Sequence, residues 1–214
     1  MNETHVKDKR ARALTPEEVE KLLDAAKGRR HYHLIQIAIK TGLRRGKLLG
    51  LRWKDVDLEN RYISVRQTLE KVEGILGFQA LKTEKSMRTI PFVKSCVPVF
   101  EEIEKALAKD RLHCKEKKQR YHELGLVFCQ QNGTKQDPGN VTKQVKKLLD
   151  KAGIKNATLH SLSHTFAPNL IARGVPLEQI QVLLGHDSIS TTANIYVHIL
   201  PGVLEETMAK LENL

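Results

Sequence analysis

Apolar residues recur at helical spacing along most of the chain, interrupted near the middle by a run of short segments with strand character. The first helix is signalled by Leu14-Thr15-Pro16-Glu17-Glu18. There Thr15 suits the N-cap, Pro16 the first helical position and Glu18 the third position of a capping box. Val19, Leu22, Leu23 and Ala26 form its apolar face, and Gly28 stops it. A second helix is predicted over 31–41, with Leu34, Ile35, Ala38 and Ile39 inward and Gly42 as its stop. A short third helix opens directly after that glycine, in Leu43-Arg44-Arg45-Gly46-Lys47-Leu48-Leu49. Residues 62–65, 78–82 and 88–92 then read as three short antiparallel strands, with 55–60 as a turn and Gly74 and Gly77 in a connection. Residues 97–121 read as a highly charged, solvated helix breaking into a basic connection, and Leu126-Val127-Phe128-Cys129 as a short buried stretch. Asn140 is placed to cap a helix carrying Val141, Val145, Leu148 and Leu149, ended by Gly153. Leu159, Leu162, Phe166 and Leu170 make the stripe of the next helix, which Gly174 stops. Pro168 inside it removes one backbone bond at a cost of roughly 3 kcal/mol and predicts a kink or a break. A short helix over 176–184 follows, with Ile180, Leu183 and Leu184 inward.

This pattern describes a mainly α-helical fold with a small three-stranded antiparallel β-sheet. Residues 1–13 are polar and cationic and read as a basic linker or disordered tail. Residues 14–200 read as one domain. Residues 201–214, with Leu204, Met208 and Leu211, read as a C-terminal amphipathic helix docking in cis or in trans.

Composition adds a functional direction. Among 214 residues, 36 Lys and Arg against 25 Asp and Glu give a net charge of +11, which suits a polyanionic partner. No apolar run approaches the roughly 18 residues of a membrane span, and Met1-Asn2-Glu3-Thr4-His5 opens no signal region. Three widely spaced cysteines, an odd number, fit a reducing cytoplasm without disulfides.

The candidate chemistry sits at element ends. Arg44 opens the short helix after Gly42, where backbone N–H groups also face anions, and no acidic residue lies within a helical turn of it. Lys47, three residues on, is a like charge. Lys82 lies at the lip of the turn Thr83-Glu84-Lys85-Ser86, where a lysine can reach into a groove, although most hairpin lysines are surface cations. His160 and Ser163 are i, i+3 neighbours near a helix start. His160 and His164 have the spacing of a zinc pair. Ser161 stands where a metalloprotease carries glutamate, however, and no third ligand is evident, so no metal site is expected. In the final stretch, Leu184-Gly185-His186 is followed ten residues after the histidine by Tyr196. A phenol, with a pKa of about 10, attacks usefully only where cations stabilise the charge it transfers.

Four segments carry a resemblance. They are Thr41-Gly42-Leu43-Arg44, Lys82-Thr83-Glu84-Lys85-Ser86-Met87-Arg88, His160-Ser161-Leu162 and Leu184-Gly185-His186 with Tyr196. In this order and approximate spacing they resemble the catalytic domain of the tyrosine recombinase family of phage and conjugative-transposon integrases, from Leu14 to about His198. The resemblance implies that Tyr196 attacks a DNA phosphodiester, forms a 3′-phosphotyrosyl bond and expels a 5′-hydroxyl. Arg44 would neutralise nonbridging oxygens, Lys82 protonate the leaving oxygen, His160 assist proton transfer or contact the phosphate, and His186 hydrogen-bond a phosphate oxygen. It implies no cofactor and no metal, double-stranded DNA as partner, other protomers in a tetrameric synapse, and a bacterial cytoplasmic, nucleoid-associated setting. The family's upstream helical DNA-binding domain is expected to be absent from this sequence.

Two positions depart from the family pattern. Ser163 stands where the family has an arginine, and Lys47 where it has an acidic residue. A serine hydroxyl does not replace a bidentate guanidinium. The expectation is a site-specific recombination and integration domain with weakened strand cleavage, or alternatively a catalytically dead DNA-binding relic or competitor of an integrase.

Overall fold

The computed structural model describes residues 12–81 and 88–184. Thr15 caps helix α1 (Pro16–Ala26) in a reciprocal box with Glu18, which buries Leu22 and Ala26. Helix α2 (Tyr32–Thr41) buries Leu34, Ile35, Ile37, Ala38 and Thr41, more than one face, because it runs through the middle of the molecule. It ends at Gly42 in the left-handed region (φ +66°), the conformation that calls for glycine there. Helix α3 (Arg45–Leu49) follows at once.

The strands differ in detail from the sequence expectation. The three-stranded antiparallel sheet consists of β1 (Val56–Asp57), β2 (Tyr62–Val65) and β5 (Arg88–Pro91), with β2 in the centre. Val56 pairs with Ile63, Ile63 with Ile90, and Val65 with Arg88. The segment around Phe78 belongs instead to β4 (Ile75–Ala80), which pairs with β3 (Gln67–Val72) in a separate hairpin. Glu73 and Gly74, both at positive φ, form its two-residue turn. β1 is too short to show a period of two. β3 does not alternate because only Thr68 and Leu69 are buried, consecutive residues where α3 lies against it.

Helix α4 (Val97–Glu116) is less solvated than its charge suggests. Val99, Phe100, Ile103, Leu107 and Cys114 are buried along one side, and the charged residues occupy the other. Leu126–Cys129 is buried as expected, with Val127 N–H donating to the Leu51 carbonyl at 2.9 Å. Helix α5 (Pro138–Lys151) is capped by Asp137, not Asn140. The Asp137 carboxylate accepts from Asn140 N–H, and Asn140 lies inside the first turn.

Helix α6 (Leu159–Ile171) passes through Pro168 without a break. The proline stands one turn from the helix end, so only the Pro168-to-His164 bond is forfeited there, and packing of Ala167 and Ile171 against Ile180 of α7 (Leu177–Leu184) holds that turn. A single core of buried side chains joins the sheet to α1, α2, α4, α5 and the first half of α6. No helix among the described residues is long and apolar enough to cross a membrane.

Candidate active site

A cleft of about 860 Å³ opens where α3, β3 and the starts of α5 and α6 meet. Arg44, Arg45, Lys47, Lys71 and Lys143 line it, against two carboxylates, Glu70 and Asp137. Asp137 is engaged by its own helix start and by Lys71 at 3.5 Å, and Glu70 accepts from Thr68 Oγ1 at 3.3 Å.

The turn that carries Arg44 is held from several sides. Gly42 lies under the Phe166 ring of α6 so closely that a Cβ would stand 2.8 Å from its Cδ1, so only glycine fits there. Leu43 is buried, and its carbonyl accepts a hydrogen bond from Ser163 Oγ at 2.9 Å. Arg44 itself is extended (φ −69°, ψ 152°) and exposed at the helix N-cap. Arg45, which also lines the cleft, ties α3 to α5 by donating to Thr142 Oγ1 (2.8 Å) and the Pro138 carbonyl (3.4 Å). Gly46 meets Thr68 without room for a side chain, which lays α3 directly on β3. Arg45 therefore positions the site. In the sequence nothing separates its role from that of the adjacent Arg44.

His160, on the first turn of α6, lines the same cleft as Arg44 and Lys47. Three residues expected to share a site are thus brought together. Ser163 lies one turn further along α6, half-buried, and is committed to the Leu43 carbonyl. Leu81 lies on the cleft wall and Lys82 follows it in the chain, but Lys82, His186 and Tyr196 fall outside the described residues. Among the described residues no group of three or more His, Cys, Asp or Glu side chains could hold a metal.

The electrostatics of the site favour an anion. Partial burial of the His160 ring, then the charges of Arg45 and Arg44, push its pKa below the ordinary histidine value. His164 is pushed the same way by burial, then by His160 and Arg44. Elsewhere His31 and His33 are also depressed, chiefly by burial.

These shifts give a pH prediction with a definite sign. A histidine depressed in the folded state stays neutral while the unfolded chain takes up protons, so acid favours unfolding. The contribution is complete above the unfolded value of 6.5 and is lost as pH falls through it. The shifted carboxylates Glu17, Glu18, Asp57, Glu123 and Asp137 are all lowered and titrate below this window. The urea midpoint is expected to drop between about pH 7.5 and about pH 5.5, and to drop less in a His160→Gln, His164→Gln double variant. An equal drop in both proteins would exclude His160 and His164 as a source.

Comparisons with known proteins bear on the family and the fold. Residues 12–202 match the Phage integrase family. The chain is 35% identical over 207 residues to a XerC-like tyrosine recombinase of Caldanaerobacter subterraneus subsp. tengcongensis, covering 92% of this chain and 53% of that protein. It is 30% identical over 211 residues to the transposase of transposon Tn916 of Enterococcus faecalis, covering 94% and 50%. The solved Tn1549 transposon integrase in complex with circular intermediate DNA superposes with a TM-score of 0.77 at 27% identity, over 97% of this chain and 68% of that one. The chain spans about half the length of the curated relatives it matches. With the profile match over nearly the whole sequence and this agreement in fold, the chain belongs to the phage integrase, or tyrosine recombinase, family.

Proposed function

We propose that this chain is the catalytic portion of a site-specific DNA recombinase or integrase, with strand cleavage slower than its relatives achieve. The observation that carries the reading is the meeting of Arg44 and His160 in one cationic cleft whose lining includes Leu81, the residue before Lys82. In this reading Tyr196 Oη attacks the phosphorus of a duplex DNA phosphodiester. A P–O bond forms to tyrosine as the bond to the 5′-oxygen breaks, and Lys82 delivers a proton to that leaving oxygen. Arg44 stabilises the charge gathering on the nonbridging oxygens. His160, neutral near pH 7 because its pKa is lowered, either accepts the tyrosine proton or holds the phosphate, and His186 donates to a phosphate oxygen. The phosphotyrosyl link retains the ester, so a 5′-hydroxyl from another strand reverses the step without an external energy source. No metal or cofactor takes part. Exchange between two duplexes calls for several protomers on DNA, by family analogy four, and the setting is the bacterial nucleoid.

Ser163 and Lys47 are the reason for slow cleavage. The hydroxyl that occupies the family's arginine position supports the Arg44 turn through Leu43 and adds no charge to a phosphate. The same hydrogen bond favours the alternative, a DNA-binding competitor that occupies sites without cutting them.

A nicked suicide substrate tests the proposal, because loss of the small 5′-fragment traps the covalent product. We expect a low yield of SDS-resistant adduct that Tyr196→Phe abolishes, with salt-sensitive DNA binding retained in both proteins. Binding without any adduct would select the competitor reading. Neither binding nor adduct would reject a role on DNA.

A further inference from the structure

A second arginine bears on the same site from inside the fold. Cross-strand partners in an antiparallel pair project to the same face, and Arg88 of β5 stands opposite Val65 of β2, which is buried. Ile90, two residues on, is buried opposite buried Ile63, while Thr89 and Pro91 are exposed. Arg88 therefore occupies the inner face of the sheet, where its neighbours are apolar. Its Nε and Nη1 are buried and have no hydrogen-bond partner among the described residues. Burial and the positive charge of Arg44 both oppose its own charge, and no carboxylate among the described residues offsets them. Burying a guanidinium in this way is unfavourable unless something compensates it. The described residues supply no compensating anion, and the charge among them that acts on it is that of another arginine, one that lines the cleft.

We infer that Arg88 and Arg44 together seat one phosphate of the bound nucleic acid, Arg44 from the cleft and Arg88 from the inner face of the sheet. This rests on the DNA-acting reading above and adds a residue to it. A phosphate between two guanidinium groups satisfies both forks and removes the repulsion between them. It also brings a second guanidinium to a site whose α6 position, Ser163, provides none. Arg88 is thus a phosphate-binding residue, distinct from a core arginine that only fills space.

Thermal unfolding in sulfate, a tetrahedral stand-in for phosphate, tests the seat without DNA. At constant ionic strength, replacing chloride by sulfate should raise the wild-type Tm by about 5 °C. Arg44→Gln, at an exposed position, should lose most of that rise. Arg88→Lys keeps a charge without the fork and should keep only part of it. Arg88→Met should lose the sulfate response and melt no lower than wild type in chloride, because an uncompensated buried charge has been removed. A sulfate response that survives in Arg88→Met, or an Arg88→Met protein that melts lower or fails to fold, overturns the inference. Sulfate binding through both arginines in a chain that forms no adduct on nicked DNA would keep the seat and discard the recombinase. Adduct formation insensitive to Arg88→Lys would do the reverse.

Discussion

Ser163→Arg combined with Lys47→Glu should raise adduct yield on the nicked substrate by about 10²–10³-fold, the usual value of one transition-state donor. Ser163 is on the correct face of α6 for this. It follows His160 by one turn, and His160 lines the cleft. A guanidinium at this position offers two parallel N–H donors where the hydroxyl offers one, and the hydroxyl is already used on the Leu43 carbonyl. Losing that hydrogen bond costs about 1 kcal/mol, because the Leu43 carbonyl loses its Ser163 donor. Lys47→Glu replaces a like charge three residues after Arg44 with a carboxylate able to orient it. Ser163→Ala is the control, since it removes the hydrogen bond and brings no charge. Its adduct yield should stay at or below wild type. If the double substitution leaves the yield unchanged while Tyr196→Phe still abolishes it, then Ser163 and Lys47 do not limit cleavage.

The largest effect on stability is expected from Phe100→Ala, a loss of about 3–5 kcal/mol. Phe100 is fully buried on α4, with the Phe92 ring centroid at 5.4 Å and the Trp53 ring, edge-on, at 6.3 Å. These contacts fasten the sheet edge and the turn after α3 to the helix layer. Truncation leaves a ring-sized void that the flanking backbone cannot close. Thermal unfolding should register the loss as a Tm lower by about 10 °C. The salt dependence of DNA binding should not change, since Phe100 does not line the cleft. Leu112→Ala on the same helix is the reference, because Leu112 is 56% exposed, and it should shift stability by less than about 0.5 kcal/mol. A comparable loss in both variants would mean that α4 is not anchored through Phe100.

Both predictions depend on how local signals and packing divide the work. Helix starts and stops were readable because their causes are local. Thr15 with Glu18 satisfies the first N–H groups of α1, and Gly42 takes a conformation that other residues avoid. The strands were less readable. A two-residue β1 has no periodicity, and β3 is buried only where α3 happens to lie, so the sheet was assigned the wrong third member. Pro168 misled for a related reason: its local cost is real, but the contacts of Ala167 and Ile171 with Ile180 outweigh it at a helix end. Asp137 took the cap expected of Asn140, because Pro138 fits the first helical position and moves the helix start three residues upstream.

By itself the sequence determined the helical fold class, the net positive charge, the family motifs around Arg44 and His160, and the substitutions at Lys47 and Ser163. These follow from residue type and spacing along one chain. Only the tertiary structure decided that Arg45 braces α5 at the edge of the cleft it shares with Arg44, that Ser163 is tied to Leu43, and that Arg88 lies on the inner face of the sheet with no hydrogen-bond partner for its Nε and Nη1 among the described residues. Each of those depends on where residues distant in sequence come to rest. A side chain's charge is written in its residue type, but its partner is set by the packing that surrounds it.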